Sequence, residues 1–219
     1  MIDKSTLTFL TELNRNNERE WFHAHKTEYT KTLENFTELT SALLFRLSEF
    51  EPDVVGTEPK ECLFRIYRDV RFSKDKTPYK PWFSARLAPG GKKYGGPGYY
   101  VRIAFDGGGL AAGTYRPEKE RLEGIRKRIS AWPKQFEAAV EGALFTKHFG
   151  ELAGEKLKRP PAGFKKDDPA IERIKHKSFI GWHEVPKRTV TSPKLVDHAM
   201  DVYRAAGPLM EFLKKGMGL

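Results

Sequence analysis

Cationic side chains are concentrated in residues 63–80, where apolar β-forming residues give way to a polar, turn-forming stretch. Six Lys and Arg stand against two Asp, a net charge of +4. The cations are Arg65, Arg68, Arg71, Lys74, Lys76 and Lys80, and the acids are Asp69 and Asp75. Because two carboxylates cannot neutralise six cations, we expect the segment to attract an anion, and guanidinium groups bind phosphates and carboxylates through paired contacts. The segment therefore predicts an anion-binding site, with Arg116 as a further donor.

The two carboxylates of the segment are the only catalytic candidates in it. Asp69 or Asp75 would serve as a general base or as a magnesium ligand. In the alternative interpretation, Arg68 pairs with one of these carboxylates to pin the loop, and the lysines are solvated. The sequence does not decide between these two interpretations. It also specifies no reaction, cofactor or oligomeric state.

The charge of the whole chain allows three classes of function. The net charge is +10 with a pI near 9.6, and residues 64–105 hold ten Lys and Arg against two Asp, a net +8. A local surplus of positive charge favours an anionic small ligand as the partner. The protein would then be a small-ligand-binding protein or an unassigned enzyme. The alternative is nucleic acid, and a third class is a structural or protein-interaction domain. Nucleic acid would stack on aromatic rings among the cations, namely Tyr67, Phe72, Tyr79, Trp82, Tyr94, Tyr99 and Tyr100.

Length and composition predict a cytoplasmic protein of one domain. The 219 residues, 39% of them hydrophobic, suffice for a core, and no apolar run is long enough to span a membrane. The first residues lack the pattern of a signal peptide. The single cysteine, Cys62, excludes an internal disulfide, and the six histidines show no metal-ligand spacing, so we predict no metal site.

Apolar spacing predicts helices at both ends of the chain. A short helix is expected over residues 5–13 and a long one over 17–50, the latter opened by a capping box of Asn17 and Glu20. Helical spacing returns from residue 118, with a boundary at Pro133, then in a short helix over 168–177 and in a last helix from residue 192 that Pro208 kinks.

Strand-like segments fill the middle of the chain, and we expect them over 63–68, 82–87, 99–105, 110–115 and 179–186. The first four follow one another without helical crossovers. The sequence therefore predicts an α+β fold, with an antiparallel sheet of four to six strands packed with N-terminal and C-terminal helices. Its parts are a helical region at 1–50, strands at 60–116, and a helical region at 117–219 with one further strand.

Four segments carry a resemblance to a known family. Residues 67–80, reading YRDVRFSKDKTPYK, resemble the signature of the family called domain of unknown function 2461 (DUF2461). Residues 16–22, 98–100 and 159–164 are similar to its other recurring pieces. The resemblance implies one domain over nearly the whole chain, with no established activity or catalytic residues to carry over.

Overall fold

The computed structural model describes residues 1–219 and contains eleven α-helices and one five-stranded antiparallel sheet. The helices are α1 (Lys4–Arg15), α2 (Arg19–Ala24), α3 (Lys26–Leu47), α4 (Pro59–Cys62), α5 (Lys119–Ala131), α6 (Pro133–Glu141), α7 (Ala143–Phe149), α8 (Ile171–Ile174), α9 (Lys187–Val190), α10 (Leu195–Ala205) and α11 (Gly207–Gly216). The strands are β1 (Trp82–Leu87), β2 (Gly98–Ala104), β3 (Gly107–Thr114), β4 (Leu152–Ala153) and β5 (Phe179–Pro186). Short 3-10 helices lie at Pro52–Val54 and Gly91–Lys93.

The sheet follows the strand order β1-β2-β3-β5-β4. The predicted fold class, with four to six antiparallel strands and helices at both ends, is confirmed. No helix is long and apolar enough to cross a membrane.

The chain divides into two compact units, which are described separately. The first unit comprises residues 1–93, 100–110 and 184–200, and the second comprises 94–99, 111–183 and 201–219. The expectation of a single domain stays a prediction.

In the first unit, α1 and α3 bury the apolar stripes that their sequences predict. Leu10, Leu13 and Phe36 are buried, and the Phe36 ring stacks on Phe83 of β1 with centroids 5.5 Å apart. Full burial of side chains of this size stabilises the fold by roughly 1.5–3 kcal/mol each. Phe83 therefore fixes the apolar face of β1, while Trp82 on the opposite face stays partly exposed.

The prediction of a single long helix over 17–50 is wrong, because the helix is interrupted at His25. This residue lies between α2 and α3 with φ −106° and ψ 28°. Its ring stacks on Trp21 at 4.0 Å, and its Nδ1 lies 2.8 Å from the Trp21 carbonyl oxygen. These contacts favour the non-helical conformation at this position.

The strand predicted over 63–68 is also wrong, because this stretch changes its pairing partner. Leu63 bridges Ala85 of β1, whereas Tyr67 bridges Tyr79, and each is an isolated bridge. Neither pairing continues for a second bridge, so the stretch is extended without forming a ladder.

The second unit has an aromatic core between helices and sheet. Phe136 of α6 lies edge-on to Phe179 of β5 at 5.9 Å and 5.2 Å from Phe212 of α11. Pro133 opens α6 as predicted, and Pro208 sits in the first turn of α11, directly after the break between α10 and α11. Proline at the first turn of a helix loses no hydrogen bond.

The second unit also departs from the expectations at two elements. The short helix predicted over 168–177 is confined to α8, because residues 175–177 pair instead with residues 155–157. The two-residue strand β4, which pairs Leu152 with Gly181 and Ala153 with Ile180, was not predicted.

Candidate functional site

The segment of residues 65–80 is a loop closed at its base by backbone hydrogen bonds in the first unit. The Arg68 N–H donates to the Pro78 carbonyl at 2.9 Å, and the Lys80 N–H donates to the Ile66 carbonyl at 2.8 Å. Between them, the buried Tyr79 ring stacks on Phe22 of α2 with centroids 4.1 Å apart. The base of the loop is therefore anchored to the core.

Asn17 also holds the base of this loop. Its Nδ2 donates to the Tyr79 carbonyl and its Oδ1 accepts from the Tyr79 N–H, both at 3.0 Å. The capping box predicted for Asn17 and Glu20 is wrong, since Glu18 is the N-cap of α2 and its side chain forms no cap hydrogen bond. Sequence reasoning missed this clamp, because it joins residues 62 positions apart.

Arg68 is tied into the loop by three contacts. Its Nε donates to the Tyr79 carbonyl at 2.9 Å, its guanidinium is ion-paired with Asp75, and it lies 5.5 Å from the centroid of the Trp82 ring. Asp75 also accepts hydrogen bonds from the Thr77 hydroxyl and backbone N–H, which lower the pKa of its carboxyl. Arg68 and Asp75 thus brace the loop, as the structural interpretation predicts.

Arg71 and Asp69 form a second, more exposed pair. The Arg71 Nε and one terminal nitrogen donate to the two Asp69 oxygens at 2.9 and 2.7 Å. The hydrogen bonds from Arg71 lower the pKa of Asp69 to about 2. Asp69 and Asp75 are consequently ionised at neutral pH and bound to arginines, which makes them weak general bases. Their catalytic role stays a prediction.

The three lysines of the segment differ in their surroundings. Lys76 donates from Nζ to the Val70 carbonyl at 2.9 Å, whereas the exposed Lys74 forms no hydrogen bond or ion pair. The partly buried Lys80 donates to the Arg65 carbonyl at 2.8 Å.

Arg65, Arg68 and Lys80 lie close enough to repel one another. Burial lowers the pKa of Lys80, and repulsion by the Arg65 and Arg68 guanidinium groups lowers it further. Arg65 forms no side-chain hydrogen bond or ion pair. Of the three cations only Arg68 is ion-paired, with Asp75, while Asp69 is ion-paired with Arg71 and acts on Arg65 from farther away. The cluster therefore holds more cations than ion-paired carboxylates.

Arg116 belongs to the second unit. Its guanidinium lies 3.6 Å from Glu155, and its backbone N–H donates to the Ser178 hydroxyl at 3.0 Å. Its role as a further anion donor to the loop stays a prediction.

The aromatic rings expected to stack nucleic-acid bases differ in accessibility. Tyr79 and Tyr99 are buried, and Trp82 is partly covered by Arg68. Among the rings of the loop, Tyr67 is 43% exposed and Phe72 is 96% exposed. Buried rings cannot stack on a base, so these residues offer fewer stacking surfaces than the sequence indicates.

Metal and thiol chemistry have little support in these residues. No group of three or more His, Cys, Asp or Glu side chains in residues 1–219 is arranged to hold a metal ion. Cys62 is buried, and burial raises the pKa of its thiol to about 11, so it stays protonated at neutral pH.

Comparison with known proteins identifies the chain at the level of family. No curated protein and no solved structure matches it. The sequence model of one family matches residues 5–212, a span that includes the loop and its Asn17 clamp. The chain therefore belongs to the family described as conserved hypothetical protein (DUF2461).

Proposed function

We propose that the first unit binds a phosphate-bearing or otherwise anionic small ligand at the cluster of Arg65, Arg68 and Lys80. The proposal rests on an electrostatic observation: of three neighbouring cations only Arg68 is ion-paired, with Asp75, and the Lys80 pKa is lowered by burial and further by Arg65 and Arg68. An anion placed among them would remove this repulsion. Binding of the anion and protonation of the lysine are thermodynamically linked. A bound anion raises the lysine pKa, and the protonated lysine in turn strengthens binding of the anion.

The geometry of the cluster suits an oxyanion. Arg65 has a planar set of N–H donors with no partner inside the protein, and Lys80 is held by its hydrogen bond to the Arg65 carbonyl. Arg68 is immobilised by Tyr79 and Asp75. Two of the three donors are thus positioned before the ligand arrives, which lowers the entropy cost of binding.

The test is a thermal-shift panel of inorganic phosphate, pyrophosphate, nucleotides and sugar phosphates. A compound present at one hundred times its Kd stabilises the protein by about 2.7 kcal/mol. For a chain of this length, that free energy raises the Tm by about 5 to 10 °C. We expect at least one compound to do so, and Arg65→Ala to abolish the rise.

Lys74→Ala is the matched control, because it removes one exposed and unpartnered cation from the same loop. It should keep most of the ligand-induced rise in Tm. A panel without a stabilising compound, or an equal loss in both variants, would contradict the proposal.

The structural interpretation of the loop is favoured by a separate observation, the pairing of Arg68 with Asp75 and of Arg71 with Asp69. It predicts that Arg68→Ala lowers the Tm of the ligand-free protein by several degrees, because this change removes the hydrogen bond to the Tyr79 carbonyl together with the ion pair to Asp75. Arg65→Ala breaks no hydrogen bond or ion pair and relieves repulsion within the cluster, so it should not lower the ligand-free Tm. A ligand effect lost in Arg65→Ala without a fall in the ligand-free Tm therefore separates binding from loop stability.

A further inference from the structure

The second unit carries most of the net positive charge of the protein. It holds 19 Lys and Arg against 12 Asp and Glu, a net +7, while the first unit holds 20 against 17, a net +3. The surplus of residues 64–105 is offset within the first unit by residues 1–61, which have 12 acids against 7 cations. The larger net surplus of the two units therefore lies in the second one.

Much of this surplus lies in residues 155–177, with eight Lys and Arg against four Asp and Glu. Arg173, Lys175 and Lys177 are ion-paired with nearby glutamates. The remaining five cations are exposed and form no hydrogen bond or ion pair. They are Lys156, Lys158, Arg159, Lys165 and Lys166. Five unpaired cations in eleven residues produce a strong local field.

The backbone that carries these cations is held in place. The Leu157 N–H donates to the Lys175 carbonyl at 2.8 Å, and the Lys177 N–H donates to the Glu155 carbonyl at 3.0 Å. A turn between Pro161 and Phe164 is closed by a backbone hydrogen bond of 3.2 Å. The cations are therefore presented by an ordered segment.

Tyr115 and Arg116 adjoin the base of this segment, as the contacts of Arg116 with Glu155 and Ser178 show. The Tyr115 ring is 71% exposed, and the Arg116 guanidinium lies 5.5 Å from its centroid. Arg116 has φ +44° and is the one residue other than glycine in residues 1–219 with a positive φ. Strained backbone of this kind persists where the surroundings enforce it, and it is concentrated at binding and catalytic sites.

We propose that Tyr115, Arg116 and the five unpaired cations form a surface that binds single-stranded nucleic acid, hereafter the Tyr115 surface. The cations contact phosphates, and Tyr115 stacks on an unpaired base, the combination used by proteins that bind single strands without reading their sequence. A duplex offers phosphates but no free base, so it lacks the stacking contact. The proposal goes beyond the anion site of the first unit and does not depend on it.

Fluorescence anisotropy with a labelled thymidine oligonucleotide of about 16 nucleotides tests the phosphate contacts. The variant Lys158→Gln, Lys165→Gln, Lys166→Gln removes three of the cations. Each phosphate contact on a single strand contributes about 0.7 to the slope of log K against log salt, so the slope should become about 2 less steep.

The matched control is Lys4→Gln, Lys31→Gln, Lys60→Gln, which removes three exposed lysines of the first unit with the same change in net charge. It should keep the slope of the unaltered protein. An equal loss in both triple variants would show attraction by net charge alone and would overturn the proposal. The absence of binding at low salt would also overturn it.

Tyr115→Ala tests the stacking contact. We expect about tenfold weaker binding to the single strand at an unchanged salt slope, and no change for a duplex of the same length. Trp132→Ala, which removes another exposed aromatic ring of the second unit, should have no effect. Unchanged binding by Tyr115→Ala, or binding to anionic phospholipid vesicles but not to the oligonucleotide, would refute the proposal. Far-UV circular dichroism and Tm confirm that each variant is folded.

Discussion

His176 shows at the scale of a single residue what the positive charge of the second unit does. The side chain is buried, and burial, followed by repulsion from Lys156 and Arg173, lowers the pKa of its imidazole to about 4. Neither ring nitrogen has a hydrogen-bond partner. The ring is therefore neutral in the folded protein over the physiological pH range, although a free histidine gains its proton near pH 6.5.

This difference in pKa predicts an acid-sensitive fold. Between pH 6.5 and 4 the unfolded chain binds the proton and the folded chain does not, so the free energy of unfolding falls as the pH falls through this window. The loss from this group is at most about 1.4 kcal/mol for each pH unit. Urea unfolding of the unaltered protein and of His176→Gln from pH 7 to pH 4.5 measures it. The free energy of unfolding should fall more steeply with acid for the unaltered protein than for His176→Gln, and parallel curves would contradict the prediction.

Asn17 yields a prediction at the scale of elements, because it joins the start of α2 to the base of the loop. Asn17→Ala removes two hydrogen bonds to the Tyr79 backbone and should lower the free energy of unfolding by about 1–3 kcal/mol. Urea denaturation measures the loss. Asn16→Ala is the control, since the Asn16 side chain donates to the Glu12 carbonyl within the preceding helical turn. A similar loss of unfolding free energy in both variants would show that the Asn17 clamp contributes no more than a local hydrogen bond.

Elements whose signals are local could be predicted from the sequence. The alternation of residues 82–87 gives the bounds of β1 as observed, and Pro133 marks the start of α6. Elements that depend on distant partners could not be predicted from the sequence. Within residues 63–68, Leu63 bridges Ala85 and Tyr67 bridges Tyr79, and the two residues of β4 are too few to show a period.

The same division holds for the candidate site. The cations of residues 65–80 were identified by residue type and spacing, but their partners depend on the folded loop. The sequence left Arg68 with a choice between Asp69 and Asp75, and the structure pairs it with Asp75, leaving Asp69 to Arg71. The Asn17 clamp had no local signal, since both of its hydrogen bonds reach across the first unit.

At the scale of the whole molecule, the two units use positive charge differently. In the first unit the acids of residues 1–61 offset most of the cations, and Arg65, Arg68 and Lys80 are cations close enough to repel one another. Such a focused field suits a small anion. In the second unit the surplus is spread along residues 156–166, which suits a chain of phosphates.

The pKa of Lys80 is the most direct measurement of the central claim. It can be followed by NMR titration of the lysine side-chain carbons, with Lys80→Arg used to assign the resonance. We expect a pKa below the ordinary lysine value in the free protein. It should rise in Arg65→Ala, which removes one repelling cation, and also when saturating pyrophosphate is added to the unaltered protein. An ordinary Lys80 pKa that responds to neither change would show that the cations do not form a cluster and would contradict the proposed anion site.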